Sequence, residues 1–263
     1  MLELNEVSRC YGQESARVVA LDSIDLSVAD GAFLAIMGPS GSGKSTLLNV
    51  MGGVDRVTSG QILLDGERID ALSEDELVQY RRGRLAYVFQ QYHLIQSLTV
   101  FENVALPLAF RGERDNGEVA SEMLERVGLA HRAHHRPSQL SGGEQQREAI
   151  ARALVTAPSL ILADEPTGNL DQESGRKVME LLVRLNREGR SIVLVTHNPE
   201  VATYATEVLT LRDGRVISRA QTNMTVAGAS AMHAGIEVTY EDDSADCINA
   251  VDREPRRFVR GTP

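Results

Sequence analysis

The chain has no tryptophan, and aromatics make up only 4% of its 263 residues. Large ring platforms for a ligand are therefore scarce, and each tyrosine near a motif stands out. It has two cysteines, Cys10 and Cys247, at opposite ends. That excludes a disulfide framework and points to a reducing compartment. Positive charge is short: 27 Lys and Arg stand against 37 Asp and Glu, a net charge of -10. A general nucleic-acid binder would carry a basic face, so no nucleic-acid partner is expected. No apolar run approaches the roughly 20 residues of a membrane-spanning helix. The start, Met1-Leu2-Glu3-Leu4-Asn5-Glu6, has neither a basic nor an apolar leader segment. Any membrane role is expected to pass through another chain.

What is present is an alternation of strand-like and helix-like segments up to about residue 219. Leu2–Val7, Val18–Val28, Phe33–Met37, Leu85–Phe89, Leu160–Ala163 and Ile192–Val195 read as strands. Ile62-Leu63-Leu64 reads as a strand entering a tight turn at Asp65-Gly66. Helical spacing appears at Lys44–Met51 and over residues 118–127, 144–156 and 174–187. This pattern predicts an α/β fold with a largely parallel sheet. The stretch from about 91 to 140 has helical patterns but no convincing strand, and it reads as a helical subdomain inserted into the core. From residue 220 the composition turns small, polar and then acidic. Residues 220–263 are read as either a flexible tail or a small accessory element.

Gly38-Pro39-Ser40-Gly41-Ser42-Gly43-Lys44-Ser45-Thr46 matches the P-loop pattern in full. Glycines let successive N–H groups turn toward phosphate oxygens, and the next helix adds the positive end of its dipole. Lys44 would reach the β- and γ-phosphates, and Ser45 would place its hydroxyl on Mg²⁺. Leu160-Ile161-Leu162-Ala163-Asp164-Glu165 is a buried strand ending in two carboxylates. Asp164 suits Mg²⁺ held through water, and Glu165 suits a base for the attacking water. Leu140-Ser141-Gly142-Gly143-Glu144-Gln145-Gln146-Arg147 reads as a Ser-capped helix start with two glycines. It is a second anion-binding N-terminus beside one P-loop. His131, His134 and His135 sit among Arg132, Arg136 and Pro137 and read as a solvated connector rather than a metal site.

The last segment makes the chain resemble the ATP-binding subunits of ABC transporters. The resemblance implies a P-loop NTPase core with an N-terminal antiparallel β subdomain and a helical subdomain at about 91–157, the whole spanning residues 1–219. It implies ATP and Mg²⁺ as cofactors and a head-to-tail pair of subunits. In such a pair Ser141, Gly142 and Gly143 of one copy would close over the ATP of the other. It further implies that Tyr11 stacks on adenine, and that Gln90 (or Gln91 in the alternative register) reaches Mg²⁺ and the attacking water. Gly168-Asn169-Leu170-Asp171 would couple the two sites, and His197 would contact the γ-phosphate. Within the family, Tyr92-His93-Leu94, Asn103–Leu108 and Ala163–Asp171 look most like the ATPases of lipoprotein-release and macrolide-export systems. The implied partner is an integral-membrane permease, which places the chain peripherally on the cytoplasmic face of the membrane. An ATP-dependent regulator of a membrane complex, without transport, is the alternative. Two positions depart from the family: Ala32, usually Glu, and Glu148, usually small and apolar.

Overall fold

The computed structural model describes residues 1–12, 16–112 and 117–222. The elements run β1 (Leu2–Tyr11), β2 (Val18–Val28), β3 (Phe33–Met37), α1 (Lys44–Met51), β4 (Ser59–Leu64), β5 (Glu67–Arg68) and α2 (Glu74–Arg84). They continue with β6 (Leu85–Val88), α3 (Val100–Phe110), α4 (Gly117–Arg126), α5 (Gly142–Leu154), β7 (Leu160–Asp164), α6 (Gln172–Arg187), β8 (Ser191–Val195), α7 (Pro199–Ala202), β9 (Glu207–Arg212) and β10 (Arg215–Gln221).

Two sheets form. The smaller is antiparallel, ordered β2-β1-β4-β5. The larger is ordered β10-β9-β3-β8-β7-β6, parallel except where β10 pairs antiparallel with β9. β3, β7 and β8 read as continuous apolar runs because both faces are covered, and all five residues of β8 are buried. One face packs α1 and the antiparallel sheet through Leu34, Ile36, Leu47, Leu162 and Val193. The other packs α5 and α6 through Phe33, Ala35, Ile150, Ile161, Val178 and Ile192. α6 contributes Val178, Met179, Leu182 and Leu185 at helical spacing, and Asp171 caps its start.

Between β6 and β7 the chain is helical and forms no strand among its described residues. Val100, Val104, Leu108 and Leu124 bury the inner faces of α3 and α4 against α5. The strands β9 and β10 and the helix α2 are not evident as apolar runs in the sequence. β9 docks beside β3, and β10 carries Ala220 and Gln221 past residue 219. The reading of the remaining tail falls on residues 223–263, outside the described residues.

Candidate active site

In the larger sheet β3, β8, β7 and β6 are consecutive neighbours and all parallel. Their carboxyl ends therefore lie on one edge. β3 delivers the Gly38–Thr46 loop there, β8 delivers His197, β7 delivers Asp164 and Glu165, and β6 delivers Gln90. Ligands in open α/β sheets bind at such an edge.

The loop after β3 is held tightly. A Cβ on Gly38 would lie 2.1 Å from the Leu211 carbonyl oxygen, and one on Gly43 would lie 2.3 Å from that of Ala20. Both have positive φ, so glycine is required twice over. Gly43 precedes α1 and offers no side-chain cap, and the first turn of α1 has no acid. The N-terminal N–H groups of α1 are thus left for a ligand. Ser42 Oγ is buried without a hydrogen-bond partner. Lys44 Nζ donates to the Gly38 and Pro39 carbonyls, each at 2.8 Å.

Ser45 Oγ donates to Asp164 Oδ1 at 3.3 Å. Burial pushes the Asp164 carboxyl up, and the Ser45 hydrogen bond opposes this. A cation there would relieve the same penalty. The donors are hard oxygens, few in number, as suits an ion that keeps most of its water and takes phosphate oxygens. Among the described residues no three His, Cys, Asp or Glu side chains cluster as a protein-only metal cage.

Glu165 sits at φ 44°, a strained value for a non-glycine residue. Its N–H donates to the Val195 carbonyl, which pins it to the end of β8. Its Oε1 accepts from the His197 N–H at 2.9 Å and lies 2.7 Å from His197 Nδ1. Oε2 accepts from Thr196 Oγ1 at 3.3 Å. The structure thus rests the His197 ring on Glu165. Gln90 Nε2 donates to Asn169 Oδ1 at 3.3 Å, and Asn169 Nδ2 donates back to the Gln90 carbonyl at 3.0 Å. Gln90, not Gln91, makes this pair.

Tyr11 closes β1. Its ring lies under the Arg9 guanidinium, 4.5 Å from carbon to centroid, and its hydroxyl donates to Asp55. Ser141, Gly142 and Gly143 form a separate group. A Cβ at Gly142 would meet Tyr92 and Leu170, and one at Gly143 would meet Ser174, none of which belongs to the Lys44 cluster. Asp171 caps α6 within the chain: it accepts from the Ser174 N–H at 3.0 Å, and hydrogen bonds from the Ser174 side chain and backbone hold its carboxyl below the usual range.

The contacts of Arg152 and Arg132 escaped the motifs because their partners are remote in sequence. Arg152 donates to the Tyr92 and His93 carbonyls at 2.9 and 2.6 Å, so α5 grips the loop that follows Gln90. Arg132 pairs with Glu144 at 3.1 Å, tying the histidine-containing connector to the start of α5. Glu148 is fully buried with both carboxyl oxygens unpartnered, and burial pushes it up to about 7. The burial explains why an apolar residue is expected at that position.

The ABC transporter family model matches residues 21–168. An uncharacterized ABC transporter ATP-binding protein of Methanocaldococcus jannaschii is 47% identical over 82% of this chain and 98% of its own length. The macrolide export ATP-binding/permease protein MacB of Wolinella succinogenes is 48% identical over 83% of this chain. The chain spans only 34% of that MacB protein, about a third of its length. Among solved structures, the dimeric post-hydrolysis state of the ATP-binding cassette MJ0796 with ADP and Pi aligns at TM-score 0.78. It is 42% identical over 84% of this chain and 98% of that one. With a P-loop, paired carboxylates and a signature helix in place, the chain belongs to the ABC transporter family as an ATP-binding, ATP-hydrolysing subunit.

Proposed function

We propose that this chain works as a head-to-tail homodimer that closes on ATP and drives a membrane permease of the lipoprotein-release or macrolide-export type. The observation that carries the reading is the shared carboxyl edge of β3, β8, β7 and β6, which gathers Lys44, His197, Glu165 and Gln90. The dimeric MJ0796 cassettes and the MacB relatives support the pairing and the permease class. Peripheral attachment on the cytoplasmic face follows from that partner, and no helix among the described residues is long and apolar enough to cross a membrane.

Lys44 leaves the Gly38 and Pro39 carbonyls and meets phosphate oxygens beside the open start of α1. Ser45, Asp164 and Gln90 would hold Mg²⁺, which supplies neutralisation of charge on the β- and γ-phosphates. Glu165 accepts a proton from the attacking water, and His197 steadies Glu165 and the γ-phosphate. Catalysis is then positioning and electrostatics. Tyr11 takes the base, and Ser141, Gly142 and Gly143 reach the γ-phosphate of the second copy. Asp171 lies at the start of α6 where the two copies would meet. We further assign residues 1–219, together with the last two residues of β10, to the ATPase domain, with its helical insertion at about 91–157.

Ile95, 40% exposed, and Leu98 beside it give the helical insertion an apolar surface for the permease. Phe101 packs against the core, so Ile95→Asp is the cleaner probe of docking. The central test is Glu165→Gln. It should retain ATP, lose turnover by about 10²–10⁴-fold, and accumulate a nucleotide-bound dimer on gel filtration. Hydrolysis near the wild-type rate would remove Glu165 as the base. Reconstitution with the permease then separates transport from regulation.

A further inference from the structure

We propose that Arg9 and Asp55 are positioning residues that clamp the Tyr11 ring as a one-faced platform for the nucleotide base. The proposal rests on the reading of Tyr11 as the base-stacking residue. Three contacts meet on that ring and its two partners. Arg9 covers one face at 4.5 Å. Asp55 takes the Tyr11 hydroxyl on Oδ2, and the same oxygen accepts from Arg9 Nε at 3.2 Å. Asp55 Oδ1 lies 2.7 Å from Arg9 Nη2, so carboxylate and guanidinium meet in a planar fork.

The ring is thereby fixed at its hydroxyl and on one face, while 38% of the residue remains exposed. A base has one face left to stack on. Fixing the ring removes the rotamer freedom that binding would otherwise quench. Asp55 also ties the platform to the phosphate grip. Its N–H donates to the Asn49 carbonyl at 3.2 Å, and Asn49 lies on α1, the helix that begins at Lys44. The distance between base site and phosphate site is thus set through Asp55. A plain surface ion pair contributes little and would not be seated on an aromatic ring at both ends.

The experiment measures the affinity of the full chain for ATP and for inorganic tripolyphosphate, both with Mg²⁺. Arg9→Ala and Asp55→Ala should each weaken ATP by about three- to tenfold, the size of one stacking interaction, and leave tripolyphosphate unchanged. Tyr11→Ala should do the same, and adding Arg9→Ala to it should cause no further loss, because coupled residues are not additive. Tyr11→Phe, which cuts only the tie to Asp55, should fall between. If Tyr11→Ala weakens ATP while Arg9→Ala and Asp55→Ala do not, the clamp is wrong and the stacking reading stands. If Tyr11→Ala leaves ATP affinity intact, both fall. Equal weakening of ATP and tripolyphosphate by the Arg9 and Asp55 variants would make the pair a support of α1 and overturn the proposal.

Discussion

The starts of α1 and α5 look alike in sequence, each a glycine-rich turn with serine before a helix, yet they are finished differently. α1 begins after Gly43 at φ 99°, without a side-chain cap and without an acid in its first turn. Its first N–H groups are open to phosphate, and Lys44 Nζ, resting on the Gly38 and Pro39 carbonyls, lies beside them. α5 begins with a complete capping box: the Glu144 N–H donates to Ser141 Oγ, and Glu144 Oε2 accepts from the Ser141 N–H at 2.8 Å. These bonds, with Arg132 nearby, hold the Glu144 carboxyl below its usual range. One end is open to an anion within the chain; the other is already capped by a carboxylate of its own. The difference teaches that a helix start with serine and glycine is not by itself a phosphate site. What an anion meets depends on which groups the chain has spent on itself.

That contrast can be broken from either side. Lys44→Ala attacks the open end and should weaken ATP by about 10- to 100-fold, the size of a charged hydrogen bond, read by nucleotide titration. Undiminished affinity would mean that α1 and the backbone alone hold the phosphates. Glu148→Val acts inside α5. Glu148 titrates near 7 when folded against an ordinary 4.5. Its carboxyl is neutral in both states below the unfolded value, and stability is lost as pH rises from there through 7. The stability advantage of the variant should therefore grow by up to about 3 kcal/mol between pH 4 and a pH above 7, on top of whatever pH-independent difference the buried neutral carboxyl makes. Denaturant melts at several pH values check this, and an advantage that stays constant across that range would refute it. Ser141→Ala removes the cap of α5 and should cost about 1 kcal/mol of stability. If Ser141 also contacts ATP in the second copy, ATP-driven dimerisation falls further than the melt accounts for. Glu144→Gln keeps the capping geometry but removes a first-turn charge. It should cost only about 0.3–1 kcal/mol and strengthen, not weaken, anion binding at that end.

Much of the architecture was legible because it rests on local pattern. β3, β7 and β8 are short runs dominated by apolar residues (Phe33–Met37, Leu160–Ala163, Ile192–Val195), as a strand covered on both faces requires. The Asp65-Gly66 turn was marked by residues that tolerate positive φ, which both adopt. α2 was not legible. Only Leu77 and Tyr80 are buried along it, and its start depends on a Ser73–Glu76 capping box. β10 alternates exposed with half-buried residues and is a strand through its pairing with β9. At the site, Lys44, Asp164 and Glu165 announced themselves by spacing. Asn169 stood out only through the family resemblance, and Arg152 and Asp55 not at all, because a guanidinium or a carboxylate without a neighbouring partner looks like any surface group.

The sequence by itself determined that a P-loop, two carboxylates on a buried strand and a glycine-rich signature share one α/β chain. Their residue types and spacings carry that information, since phosphate binding depends on backbone freedom and local charge. Tertiary structure alone decided which of them meet. The strand order puts β8 between β3 and β7, and this brings the His197 ring to 2.7 Å from Glu165 across 32 positions of sequence. It likewise decided that Tyr11 is braced by Arg9 and Asp55, and that the signature helix caps itself. Such contacts come from the packing of whole elements, whose burial energy far exceeds that of any one polar pair, so the side chains meet where the sheet places them.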